Sequence, residues 1–388
     1  MIKKEYQICN FCIMDTSDKD IQFDKEGICN HCKNYFPRIK KNLIPEQFQE
    51  KKLSRLVSLI KKTGKNKKYD CIVGVSGGVD SSYVALLAKK LKLRTLLVHM
   101  DNGWNSKTSI KNIKNLCINT KFDLFTYVIN WNEFKDLQLS LFKASVVDIE
   151  LATDHAIKAV LYKLAHKFNV KYLLNGGNIR TECIMPKSWR HTKADRSNIL
   201  DIHTKFGSVK LKTFPFAGAI KRQLYQSILG IKDITLLNYF SFKRDDVIQQ
   251  LKKELGWIEY EGKHHESIFT RFYQAYILPK KFLIDKRRCH LSNLICTGLI
   301  DRNQALLKIK GEVYDQDLLK KDKYFVMKKL GFDKSSFNEY INQPPVSHHN
   351  FKSDENLIKN LLFFKIYFLN IKKIIFDRFK LTSRNKIL

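Results

Sequence analysis

The chain has 388 residues, 44% of them hydrophobic, which is enough for one large or two ordinary domains with a buried core and excludes a disordered composition. Its 70 Lys and Arg against 38 Asp and Glu give a formal charge of +32, a sign that suits nucleic acid, an anionic membrane surface or phosphate-bearing substrates without choosing among them. Lys, Ile, Asn and Phe are abundant throughout, so the charge reads first as background on a solvated surface, and nucleic acid is not the expected partner. Met1–Cys9 carries no apolar segment after its two lysines, and no uninterrupted apolar run reaches the ~20 residues that cross a bilayer, so a cytoplasmic protein is expected.

In chain order, residues 1–40 form a Cys-rich head. Cys9-Asn10-Phe11-Cys12 and Cys29-Asn30-His31-Cys32 are two C-x₂-C pairs with sixteen residues between Cys12 and Cys29. Nine cysteines in a chain of this length are too few for a disulfide scaffold. Four thiolates at that spacing fit a closed, structural Zn²⁺ site held by Cys9, Cys12, Cys29 and Cys32, with His31 a bystander. A Lys-rich helical connector over 41–68 follows.

From Tyr69 the pattern alternates. Tyr69–Val75 (YDCIVGV) is a buried strand, Ser81–Leu91 is apolar on one helical face, and Arg94–Met100 (RTLLVHM) is a second strand. A helical stretch to about Thr120, a strand at Leu124–Ile129, a helix around Asp154–Phe168 and a strand at Val170–Leu174 complete a domain over 69–220. Such alternation implies an α/β fold: a parallel sheet with helices on both faces, binding its ligand beyond the carboxyl ends of the strands. The loops after Val75, Met100 and Leu174 should then share one crevice. A helical extension over 221–345 follows; Gln223–Leu255 reads as mainly helical, with Gly256 as a C-cap. The remainder, 346–388, reads as a basic tail whose Glu355–Lys380 stretch suits an amphipathic helix, for packing on the body or for peripheral membrane contact.

Ser76-Gly77-Gly78-Val79-Asp80-Ser81 lies between the first strand and its helix. Glycines let a phosphate approach the backbone, the helix N-terminus supplies N–H groups and dipole, and Ser76, Ser81 and Ser82 add hydroxyls. Asp80 can hold Mg²⁺ bridging the phosphates; as a bare turn, the same residue would be a helix cap. The hexapeptide SGGVDS resembles the signature of PP-loop ATP-pyrophosphatases, a Rossmann-like class. That resemblance implies that ATP yields AMP, with the loop holding the departing pyrophosphate. It also places adenosine at the end of the second strand, at Met100 and Asp101, although an Asp-Asn-Gly turn explains the side chains equally well.

The order of motifs resembles the N-acetyl sugar amidotransferase family over about Cys9–Ala305. The resemblance rests on CNFCIMDTSD and FDKEGICNHC in the head, on VGVSGGVDSSY and VHMDNGW, and on TDHAI at Thr153–Ile157. It continues through LLNGGN at Leu173–Asn178, LGWIEYEGKHHESIFTRF and LPKKFLIDKRRCHLSNLI. Leu283 departs from the pattern, where a small residue such as Gly is expected. The resemblance implies adenylation of the N-acetyl oxygen of a nucleotide-activated sugar and its replacement by ammonia nitrogen to give an acetamidino group. It further implies ammonia from a separate glutaminase subunit with a cyclase-like channelling partner. On that reading Lys281, Lys286 and Arg287 are candidates to neutralise pyrophosphate, each otherwise part of a solvated basic face. Gly176, Gly177 and Asn178 could contact ATP or the acetamido group, and His264 and Arg271 are further substrate-binding candidates.

Two other readings compete. A tRNA-modifying PP-loop enzyme would use the charge and the zinc head, but Cys183 and Cys289 stand isolated where sulfur transfer needs paired cysteines. A noncatalytic ATP-binding scaffold would have no need of Asp80.

Overall fold

The structure, a computed structural model, describes residues 5–241, 243–260 and 265–361. The head leads from the cysteine cluster into α1 (Asn30–Asn42) and α2 (Glu46–Gly64). A doubly wound unit follows: β1 (Cys71–Gly74), α3 (Val79–Lys90), β2 (Thr95–Asp101), α4 (Lys107–Thr120) and β3 (Asp123–Val128). Then come α5 (Trp131–Lys143), α6 (Leu151–Lys167), β4 (Tyr172–Asn175), the short α7 (Ile179–Glu182), α8 (Arg196–Phe206), α9 (Ala219–Ser227) and β5 (Lys232–Thr235).

All strand pairs are parallel, in the order β3-β2-β1-β4-β5. Ile72, Leu96, Val98 and Leu173 pack into one core and Cys71, Val73, Leu97 and Leu174 into the other. That two-sided burial is why β1, β2 and β4 read as continuous apolar runs. The chain winds outward from β1 to β3 and returns on the other side through β4. The switch point therefore lies between β1 and β4, where Val73 pairs with Leu174.

The strand at Lys232–Thr235 falls inside a stretch that the sequence pattern gives as helical. It is a four-residue edge strand, too short for a period-two signal and supported on one side only. Beyond it, α10 (Arg244–Leu255) ends at Gly256 in the left-handed conformation, as the C-cap reading expects.

The C-terminal region opens with a continuous helical run: α11 (Ile268–Phe272), a π-turn over Tyr273–Ile277, and α12 (Leu278–Phe282). Then follow α13 (Arg287–Cys296), α14 (Arg302–Lys310), α15 (Gln316–Leu330) and α16 (Lys334–Asn342). Residues past 346 continue on the body. Val346 N–H donates to Ser145, His348 bonds Asn198, and Asp354 accepts from Ser197. The tail helix expected over Glu355–Lys380 lies mostly outside the described residues. No helix among the described residues is long and apolar enough to cross a membrane.

Candidate active site

The loop after β1 is fixed from behind. Gly77 has φ +81°, and a Cβ on it would lie 2.6 Å from the Ser109 carbonyl oxygen, so conformation and space both require glycine. Its carbonyl accepts from Trp257 Nε1 (2.9 Å), Tyr260 OH (3.1 Å) and Asn112 Nδ2 (3.3 Å). Those three donors turn the carbonyl dipole away from the first turn of α3, where an anion would meet N–H groups instead. Ser76 and Ser81 join their hydroxyls at 3.3 Å, and Gly78 N–H donates to Ser76 Oγ. Across the switch point, a Cβ on Gly176 would fall 2.9 Å from the Asp80 backbone, so the β4 loop and the first turn of α3 touch.

A cavity of about 780 Å³ opens over these strand ends, lined by Val75, Ser76, Met100, Asn102, Leu174 and Gly176. The three loops expected to share a crevice do share one. Its far wall comes from the C-terminal region: Glu266, Ser267, Thr270, Gln274, Lys286 and His290. That wall is joined to the β2 loop because Ser106 N–H donates to Glu266 and Ile268 N–H to Trp104.

Several of the expected site residues are engaged elsewhere. Lys281 is buried away from the cavity, its ammonium donating to the Tyr340 and Gln343 carbonyls, and burial lowers its pKa to about 8. Arg287 pairs with Asp285 and donates to the Ile309 and Gly311 carbonyls, closing the end of α14. Arg271 pairs with Asp322 at 2.6 Å. Asn178 caps α7 through Arg180 N–H, and Gly177 N–H is held by Asn175. Asp101 serves as turn builder, accepting from Gly103 N–H and Asn105. Val79 and Ser82 are buried under the loop. His264 lies outside the described residues. Lys286 lines the cavity.

The sequence reading missed the acidic side of the cavity. Asp148 and Asp154 hold Lys193 at 2.6 and 3.0 Å. Burial works to raise the Asp148 pKa, but the Lys193 ammonium outweighs it and holds the carboxyl low. Glu150 stands at the first position before α6 without capping it through its side chain, is 9% exposed, and accepts from Thr270 Oγ1 at 2.5 Å. Burial, with Asp154 beside it, pushes its pKa up. His99 is buried between Val75 O and Asn105 Nδ2, which makes Nδ1 the protonated nitrogen. The available signal was an acidic cluster at a helix start, which reads as ordinary dipole complementation.

In the head, the four cysteine sulfurs lie within 4.8 Å of one another, with contacts of 3.7 to 4.0 Å. Tetrahedral Zn–S bonds of about 2.3 Å require sulfur separations close to those. Backbone N–H groups of Cys12, Met14 and Cys29 point at the sulfurs, as thiolates need. The residues fit zinc. His31 bonds Asp18 instead.

Residues 51–185 match the NAD synthase family, and residues 266–365 match the family described as "LPS biosynthesis protein WbpG-like, C-terminal domain". The second match runs well past Ala305, where the sequence resemblance was expected to stop. Two solved structures align at 15% identity and a TM-score of 0.30, too low to bear on the fold. NMN synthetase from Francisella tularensis covers 70% of this chain and 99% of its own. NH3-dependent NAD synthetase from Campylobacter jejuni subsp. jejuni NCTC 11168, in complex with the nitrate ion, covers 78% and 99%. No curated protein matches the chain. Loop, sheet order and the NAD synthase match define an ATP-utilising enzyme of the PP-loop superfamily, of the ligase or amidotransferase kind. Within that superfamily the chain is set apart by its WbpG-like C-terminal region, which supplies the wall facing the loop.

Proposed function

We propose that this protein adenylates the N-acetyl oxygen of a nucleotide-activated sugar and replaces it with ammonia nitrogen, releasing AMP and pyrophosphate and leaving an acetamidino group. One observation carries the reading: a phosphate-type loop and a WbpG-like wall face each other across a single cavity. Its volume is of the size that accommodates nucleotide-scale ligands. The loop amides and hydroxyls of Ser76, Gly78 and Ser81 would hold the departing pyrophosphate. Lys286, on the opposite wall, would meet its growing charge. Asp80 would hold Mg²⁺, which when bound neutralises the phosphates. A separate glutaminase and a channelling subunit are the proposed ammonia source, and the cytoplasm the proposed compartment.

The test is incubation with ATP, Mg²⁺, ammonium and a panel of nucleotide N-acetyl sugars. The expected result is AMP, with a sugar mass lower by about one unit as oxygen gives way to NH. ADP as the main product would sink the reading. AMP formed only when transfer RNA is added would favour the tRNA-modifying alternative, for which Cys183 at the cavity wall is the supporting observation.

A further inference from the structure

Replacing oxygen by nitrogen poses a problem that the loop chemistry does not solve. At neutral pH the nitrogen source is mostly ammonium, which has no lone pair with which to attack. The cavity must hold that cation and take a proton from it, close to the activated carbon and apart from the pyrophosphate.

Most carboxylates of the cavity wall already have work. Asp148 and Asp154 share Lys193, and Asp233 pairs with Lys158 and holds Asn175. Glu266 stands against Gly78, on the phosphate side. Glu182 accepts from Asn178 N–H. Glu150 differs. It is nine-tenths buried, makes no ion pair among the described residues, and is held by neutral donors: Thr270 Oγ1 at 2.5 Å and Gln274 Nε2 at 3.5 Å. Both donors belong to the WbpG-like wall, and the π-turn of Tyr273–Ile277 carries Gln274.

We infer that Glu150 is the catalytic base that binds ammonium and deprotonates it. The inference rests on the function proposed above. The Glu150 carboxylate takes one proton from ammonium. The freed nitrogen lone pair then forms the C–N bond to the O-adenylated imidate carbon, a proton passes between the two nitrogens, and the C–O bond to AMP breaks with its electron pair staying on phosphate. The products are an amidinium and AMP, and Glu150 returns its proton to solvent. The charged and titratable groups around it are Asp154 on α6, Asp148 before that helix, Lys193 before α8, Tyr273 on the π-turn and Lys286 before α13. Burial and Asp154 make the carboxylate a stronger base than an ordinary glutamate, while Lys286 and Lys193 restrain the rise.

The experiment separates the two half-reactions in the full-length protein. Exchange of labelled pyrophosphate into ATP, with a UDP-N-acetylhexosamine panel and no ammonium, reports adenylation. Amidine formation with ammonium chloride reports nitrogen transfer. Glu150→Gln should keep exchange within about threefold and lose amidine formation by roughly 10² to 10³ at neutral pH, the range of a positioned general base. The deficit should shrink as pH rises and free ammonia replaces ammonium. Thr270→Val keeps the carboxylate but removes a hydrogen bond to its charged form, so the acidic limb of the amination profile should move to higher pH. That shift serves as the readout should Glu150→Gln fold poorly. Parallel loss of both half-reactions, unchanged amination in Glu150→Gln, or an unmoved profile in Thr270→Val would overturn the inference. Wild-type protein that shows neither exchange nor AMP with any sugar would instead overturn the proposed function.

Discussion

Asp80 sits one residue inside α3, with the β4 loop resting on its backbone through Gly176. Asparagine keeps its size, so Asp80→Asn should retain ATP binding. What it loses is charge that matters most as the α,β-bond breaks, so AMP formation should fall on the order of 10²-fold or more. Equilibrium ATP binding beside a single-turnover AMP assay separates the two. Gly78, not Asp80, is the N-cap of α3, so near-normal AMP formation would leave Asp80 only as an acidic first-turn residue complementing the helix dipole. Leu283 shows a different residue-level effect. It ends α12 at φ +57° and is 77% exposed, a left-handed position that suits glycine and gives a leucine side chain nothing to pack on. Leu283→Gly should stabilise the protein by ~1 kcal/mol, the relieved left-handed strain being partly offset by glycine's greater unfolded freedom. Urea denaturation would measure it, and a lower midpoint would show that the strain is absent.

At the scale of elements, α5 pins the loop that follows α8. Asp136 accepts from Ser208 N–H, Val209 N–H, Ser208 Oγ and His203, and Glu133 from Thr213 and Phe214 N–H. Burial opposes both charged forms, but these donors outweigh it and hold both carboxyls below their ordinary values. A depressed carboxyl stabilises the fold above its unfolded pKa, about 3.9 for Asp, and the contribution disappears as pH falls through the folded value. Asp136→Asn should cost roughly 1 to 3 kcal/mol at neutral pH and flatten the stability loss on acidification below about pH 4. Melting curves from pH 3 to 7 would check it, and an unchanged acid limb would count against the pinning role. The elements that were legible in the sequence share a reason: β1, β2, β4 and the helices between them repeat one buried pattern over enough residues to be read. The π-turn leaves no such trace, because its apolar spacing differs little from that of an α-helix. Lys281, Arg287 and Arg271 were misplaced because a basic residue's sequence does not say whether it faces phosphate or a helix's own carbonyls. Glu150 escaped notice because its role depends on Thr270 and Gln274, more than a hundred positions away.

Across the whole molecule, the head is a structural keystone. Arg302 on α14 donates to the Cys9 and Cys12 carbonyls, Arg288 pairs with Asp15, and Arg38 on α1 both donates to the Cys183 carbonyl and lines the cavity. One Zn²⁺ per chain is expected on metal analysis. Cys12→Ser should lose it, lower the melting temperature by several degrees and reduce activity through the displaced Arg38. A metal-free protein that melts and turns over normally would refute this. The span of these contacts also orders events during synthesis. Cys12 and Arg302 are 290 positions apart. At ~5 to 20 residues per second, the ribosome delivers the second roughly 15 to 60 seconds after the first. A nascent knuckle that captured its ion on emerging would therefore wait for the last of its partner surfaces to be translated, held meanwhile by the earlier Arg38–Cys183 contact.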